Sequence, residues 1–319
     1  MLHWFRKFGV IATLGSAALL AACGGGDDHG PGNIVDVAKS DARFSILVEA
    51  VTAADPAIAN ALTGSAPLTV FAPTNDAFAA LLTELGVTKA QLLGNTALLN
   101  AVLRYHVLGA KVVKADVPVG RKITPLAGGI FKVDVVGPDL VINDGRNRKS
   151  KILITDIPAS NGVIHAVDKV LLPADKNIVQ TAQALAAGTP GEFTVLVEAV
   201  VAANLAGTLS STGPFTVFAP TDAAFAALLA DLQITKAQLL ADTALLGKVL
   251  TYHVVAGTVL KAEVPIGAAI PTVQGETFTV GSNLAITDQR GRTSNIVGTD
   301  TLASNGVIHV IDKVILPRP

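Results

Sequence analysis

Most of this 319-residue chain is one passage of sequence written twice. Leu47-Val48-Glu49-Ala50-Val51 returns as Leu196 to Val200, and Thr69 to Thr74 (TVFAPT) returns as Thr216 to Thr221. Thr88 to Leu93 (TKAQLL) returns as Thr235 to Leu240, and Ala159 to His165 (ASNGVIH) as Ala303 to His309. The matches are collinear, and their offset shrinks along the chain, as happens when loops lose residues after a duplication. The repeats occupy 33–173 and 177–317, separated only by Ala174-Asp175-Lys176. A unit of roughly 140 residues is too long for a solenoid repeat and long enough to bury about two-thirds of its unfolded surface. Each copy is therefore expected to fold around its own core, with little freedom between them.

Composition narrows the choice further. Half the residues are hydrophobic and 15% are charged, which suits a globular or membrane-associated chain and not a disordered one. A formal net charge of −1 supplies no basic field for nucleic acid. Aromatic residues make up 4%, so the cores must be built mainly from Ala, Val, Leu and Ile. Cys23 is the single cysteine, which rules out an intrachain disulfide.

That cysteine sits at an informative place. Arg6 and Lys7 precede an apolar run from Phe8 to Ala22, the layout of a secretory signal and too short to span a bilayer comfortably. The run ends in Leu20-Ala21-Ala22-Cys23, which resembles the bacterial lipobox. The resemblance implies a signal peptide over 1–22, cleavage before Cys23 and acylation of its thiol, which would anchor the chain to a membrane. Residues 23–32 are rich in Gly and Asp and read as a flexible tether. Gly24 stands where inner-membrane lipoproteins carry aspartate, which points to the outer membrane, on its periplasmic or surface face, or to an extracellular location.

Within each repeat the pattern runs from helices to strands. Ile34 to Lys39, Phe44 to Thr52 and Ala57 to Leu62 have helical composition, interrupted by Asp55-Pro56. Leu68 to Ala72 reads as a short buried strand ending at Pro73. Thr74 and Thr221 are helix N-caps, and Thr88-x-x-Gln91 and Thr235-x-x-Gln238 are capping boxes. Beyond Tyr105, Phe131-Lys132-Val133-Asp134-Val135 alternates as a half-buried strand does, and Asn161-Gly162 and Asn305-Gly306 mark tight turns. The expected class is α+β, an antiparallel sheet with helices gathered in the first half of each repeat.

Three ordered motifs, each present twice, resemble the fasciclin domain family. They are Thr69 to Phe78 with Thr216 to Phe225, the Tyr105-His106 and Tyr252-His253 pairs, and Asn161 to Pro173 with Asn305 to Pro317. The resemblance covers nearly all of the chain after the tether. It implies two tandem domains, each an antiparallel β-sandwich or wedge with helices packed around it. It also implies adhesion or matrix contact, and no catalysis.

The same resemblance singles out candidate partner-binding residues. Tyr105, His106, Tyr252 and His253 form either exposed contact patches, as proposed for animal relatives, or buried hubs whose hydroxyl and imidazole are internally bonded. Asp156-Ile157 stands where animal members carry an Asp-Ile pair implicated in receptor contact; the second repeat has Asp300-Thr301. Arg146, Arg148, Lys149 and Lys151 form a basic cluster that suits either an acidic polysaccharide or lipid phosphate, or a solvated hairpin tip. No histidine spacing or cysteine cluster suggests a metal, no fingerprint suggests a cofactor, and no nucleophile elbow or phosphate loop is present. The sequence thus points to a non-catalytic adhesion and interaction protein whose partner is a protein or polysaccharide of the matrix or envelope. The alternative is a periplasmic small-ligand or saccharide-binding module.

Overall fold

The computed structural model describes residues 30–188 and 191–319. The signal segment over 1–22, the lipidation position Cys23 and most of the tether lie outside the described residues.

The first repeat opens with three helices, α1 (Ile34–Ser40), α2 (Ser45–Ala53) and α3 (Pro56–Thr63). Asn33 caps α1 in a reciprocal box with Asp36. Asp55-Pro56, which composition suggested as an interruption, starts α3: Asp55 caps Ala57 N–H and Pro56 fills the first helical turn, where no donor is needed. Strand β1 (Leu68–Pro73) follows, buried along its whole length. Thr74 then caps α4 (Asn75–Leu85), and the Thr88–Gln91 box opens α5 (Lys89–Gly94). Helix α6 (Thr96–Tyr105) completes the helical half.

The remaining strands are β2 (Val107–Leu108), β3 (Lys122–Ile123), β4 (Phe131–Val136), β5 (Asp139–Asn143), β6 (Lys149–Ala159) and β7 (Gly162–Val167). They form one seven-stranded sheet with the order β2-β1-β7-β6-β5-β4-β3. All neighbouring pairs are antiparallel except β1 with β7, which run parallel with Phe71 opposite His165. The Asn161-Gly162 signal does mark the β6–β7 hairpin, but Ser160 and Asn161 occupy the turn and Gly162 already lies in β7. Gly162 is needed for close approach: a Cβ there would sit 2.1 Å from the Leu68 carbonyl oxygen.

Two apolar clusters sit on the two faces of this sheet. Helices α1 to α6, with Phe44 from the turn before α2, pack Phe44, Phe78, Leu99 and Leu103 against one face. The curled inner face holds Phe71, Tyr105, Phe131, Ile142 and Leu171. Phe131 meets Phe71 and Tyr105 edge-on, at centroid distances of 5.4 and 5.8 Å, so three rings supply the bulk of an otherwise aliphatic core.

The second repeat reproduces the plan. It comprises α7 (Ile178–Ala186), α8 (Thr194–Ala202), α9 (Ala206–Leu209), β8 (Phe215–Pro220), α10 (Asp222–Leu232), α11 (Lys236–Ala241) and α12 (Thr243–Tyr252). Strands β9 (Val254–Ala256), β10 (Ala269–Pro271), β11 (Thr277–Val280), β12 (Ala285–Thr287), β13 (Thr293–Ala303) and β14 (Gly306–Ile311) complete its own seven-stranded sheet. Helix α9 is shorter than α3, and this repeat lacks the Asp-Pro start.

The two repeats meet through the β4 side of the first and the β13 side of the second. Lys132 bridges Asp134 at 3.0 Å and Asp300 at 2.8 Å. Asn147 donates to the Leu302 carbonyl at 3.0 Å and accepts from Leu302 N–H at 2.7 Å. Ile130 covers a small apolar cluster of Leu260, Leu302 and Val307.

Candidate functional site

The Tyr-His pairs lie at the end of α6 and α12, where each helix runs into the sheet. Tyr105 and Tyr252 are fully buried, and each hydroxyl donates to a backbone carbonyl, Ile130 at 2.6 Å and Thr277 at 2.8 Å. Burial pushes both phenols up, that of Tyr252 to about 12. His106 is likewise enclosed. Its Nδ1 lies 2.7 Å from the Val102 carbonyl oxygen, and its Nε2 accepts from Leu171 N–H at 2.8 Å. A carbonyl can only accept and an amide N–H can only donate, so the ring is neutral with its proton on Nδ1. Desolvation, opposed by the bond to Val102, holds His106 at about 4. His253 repeats the arrangement with Val249 and Ile315 and also falls to about 4. The four residues therefore offer no surface to a partner, and the exposed-patch expectation is corrected for them: in cores with few aromatic rings, these side chains supply both volume and backbone pairing.

His165 and His309 are buried in β7 and β14 with the opposite tautomer. His165 Nε2 donates to Val112 O at 2.9 Å while Nδ1 accepts from Asp156 N–H at 3.2 Å; His309 does the same with Val259 and Asp300. Both nitrogens of all four imidazoles are engaged, and among the described residues no group of three or more His, Cys, Asp or Glu side chains could hold a metal.

The basic cluster does not act as one. Arg148 is pinned by Asp144 and Glu84 at 2.8 Å each and donates to the Val170 carbonyl. Arg146 reaches Asp175 in the linker at 3.2 Å, and Lys151 pairs with Asp139 at 2.8 Å. Lys149 alone is exposed without an ion-pair partner among the described residues. The expected anion-binding patch is thus dispersed, because the fold places Glu84 of α4, Asp139 of β5, Asp144 of the turn after it and Asp175 of the linker beside three of the four cations.

Two structural hubs escaped the sequence reading. Asp144 is buried and accepts from the backbone N–H groups of Arg146, Arg148 and Leu172. Together His106, Asp144 and Arg148 hold the backbone of Val170, Leu171 and Leu172, which stitches the end of the repeat onto α6 and the β5–β6 turn. Asp288 and His253 do the same for Leu316 and Ile315. Asn161 accepts from Ile34 N–H and donates to Leu62 O and Gly64 O, tying α1 and the end of α3 to the hairpin. The Asn-Gly signal drew attention to this position, but as a turn.

Asp156 and Ile157 are placed differently from the pairs above. They lie on β6 at a bulge, where the register with β7 shifts, and Asp156 adopts a left-handed backbone with φ +62°. Asp156 is exposed and Ile157 half-buried. One Asp156 carboxylate oxygen accepts from Lys114 N–H at 2.8 Å, and no cation among the described residues pairs with the other. Asp300 has the same φ, +61°, and the same bond to Lys261 N–H, yet it is buried beneath Lys132.

These features define a class: a duplicated, mixed-sheet α+β scaffold whose enclosed polar side chains are spent on its own backbone. The chain belongs to the fasciclin family, whose domain model matches residues 42–173 and 191–317. Fasciclin domains are found in adhesion proteins and are typically non-catalytic, and nothing in this chain points to enzymatic activity. Among relatives, protein sll1483 of Synechocystis is 43% identical over 141 residues, covering 44% of this chain and 73% of that protein. Transforming growth factor-beta-induced protein ig-h3 of Sus scrofa is 30% identical over 254 residues, covering 80% of this chain. The chain spans only 35% of the length of ig-h3. A solved fasciclin domain pair from the insect cell adhesion molecule Fasciclin I aligns over 87% of this chain and 98% of that one, with 16% identity and a TM-score of 0.42. No described helix is long and apolar enough to cross a membrane.

Proposed function

We propose that this protein is an adhesion and interaction module of the bacterial envelope. Its two fasciclin domains, 33–173 and 177–317, are held at a membrane by acylation of Cys23 and a short tether, and meet a protein or polysaccharide of the matrix or envelope. The observation that carries the reading is the commitment of the enclosed Tyr, His, Asn and Asp side chains to backbone groups. With the interior polar groups spent on cohesion, recognition falls to the outer strands and loops. Deletion of the gene, or Cys23→Ala, is expected to reduce attachment of cells to matrix-coated surfaces. Unchanged attachment across several surfaces refutes the adhesion role, and a mature amino terminus lacking an acylated Cys23 by mass spectrometry refutes the anchor.

One feature favours a second reading as a small-ligand or saccharide module. A groove of about 550 Å³ between the repeats is lined by Lys122, Ile130, Thr212, Thr258 and Ser304, a mixture of apolar wall and hydroxyls. A saccharide bound there raises Tm in a thermal-shift screen, whereas a macromolecular partner leaves that screen silent.

A further inference from the structure

The duplication provides an internal comparison: one face of the scaffold is covered in repeat 2 and bare in repeat 1. In repeat 2 the covered face consists of the left-handed Asp300 on the β13 bulge, Leu302 beside it, and Leu260 and Val307 next to them. Repeat 1 covers it with a lysine from β4, a carboxamide from the β5–β6 turn and an isoleucine: Lys132, Asn147 and Ile130.

Repeat 1 carries the equivalent face on β6. Asp156 takes the place of Asp300, with the same φ, the same bond to a backbone N–H (Lys114 for Lys261) and the same contact from its own N–H to a buried histidine. Val113, Pro158 and Val163 stand where repeat 2 has Leu260, Leu302 and Val307; Pro158 is exposed and Val113 half-buried, whereas Val163 is buried within repeat 1. A left-handed aspartate is a costly conformation to keep. In repeat 2 it places a carboxylate under an ammonium, whereas in repeat 1 the same carboxylate meets solvent.

Resting on the interaction role proposed above, we propose that the β6 face of repeat 1 is a docking face for a fasciclin-type domain of another chain. That domain presents a lysine ammonium to Asp156 and an aliphatic side chain to Val113 and Pro158, as repeat 1 does to repeat 2. A second intact copy of this chain is excluded as the occupant. Its repeat 2 has Thr279, Gly291 and Thr277 at the positions of Lys132, Asn147 and Ile130, so it lacks the ammonium, the carboxamide and the isoleucine. Its repeat 1 has all three, but they are already engaged with its own repeat 2, Lys132 by Asp300, Asn147 by the Leu302 backbone and Ile130 by the Leu260–Leu302–Val307 cluster. Pro158 has no N–H, so the partner's turn need only donate, to the Pro158 carbonyl.

The test uses the full chain and a full-length probe whose own covering residues are freed by Asp300→Ala with Leu302→Asp. Asp300→Lys, which sets like charges against each other at Lys132, is a second route to the same release. The wild-type chain sediments as a monomer; the freed probe binds it, and Asp156→Lys in the wild-type chain weakens that binding at least tenfold. Lys132→Asp in the probe freed by Asp300→Ala with Leu302→Asp restores binding to the Asp156→Lys chain. A natively folded probe by circular dichroism that fails to bind, or that binds the wild-type and Asp156→Lys chains equally, overturns the proposal. Loss of cell attachment without loss of this docking would leave the adhesion reading standing and place it on another face, so the two can fail separately.

Discussion

Replacing His106 with leucine separates a structural hub from a contact patch by the size of the stability change. Leucine is close to histidine in volume, so the pocket stays filled, but both hydrogen bonds of the ring are lost. Leu171 N–H is then buried without an acceptor, which costs about 1–3 kcal/mol, and the Val102 carbonyl loses its side-chain donor at the lower end of that range. The expected total is about 2–4 kcal/mol, a large part of the stability of one domain. Equilibrium urea unfolding followed by far-ultraviolet circular dichroism reads it as a lower midpoint for repeat 1, and Lys149→Ala, on the surface, serves as the control expected within about 0.5 kcal/mol. A His106→Leu change as small as the control's would refute the hub and return His106 to the surface.

Three further outcomes follow from the same packing. Asn161→Ala removes an acceptor from Ile34 N–H and a donor from Leu62 O and Gly64 O, and it lowers stability by about 2–4 kcal/mol in the same unfolding assay. Gly162→Ala drives a methyl group into the Leu68 carbonyl and parts β1 from β7, so the soluble yield and the urea midpoint both fall, more than for Gly94→Ala in open space. His106 and His253 sit at about 4 when folded against an ordinary 6.5, so between those values the unfolded chain binds more protons. Their contribution is complete above about pH 6.5 and declines as pH falls towards 4, by about 3 kcal/mol for each ring; His106→Leu flattens half of that slope in pH-dependent urea midpoints.

Local chemistry in the sequence was enough to locate α1 to α5 and the half-buried strand, but not α6. Thr74, Thr88 and Thr221 cap helices where their side chains accept from a first-turn N–H, and the alternation read from Phe131 to Val135 becomes alternating burial in β4 as far as Asp134, with Val135 exposed. The pairing of β1 with β7 was not legible, because it joins segments far apart in the repeat, Leu68 with Gly162, and leaves no periodic trace. Burial of polar side chains was only partly legible: a buried hub was one of two readings of Tyr105 and His106, whereas nothing in the sequence singled out Asp144, which the fold places against the Val170–Leu172 backbone. The spread of the basic cluster depended on Glu84 and Asp175, which are distant in sequence. The contact between the repeats rests on Lys132, Asn147 and Ile130, which the second copy replaces by Thr279, Gly291 and Thr277, so repetition itself concealed them.

Nitrogen-detected NMR of the histidine rings in the intact protein addresses the central claim most directly. Cohesion through the backbone requires His106 and His253 to carry their proton on Nδ1 and His165 and His309 on Nε2, with the first pair staying neutral until the pH nears 4. Rings at 106 and 253 that titrate near 6.5, with mixed tautomers and rapid exchange with water, would contradict it.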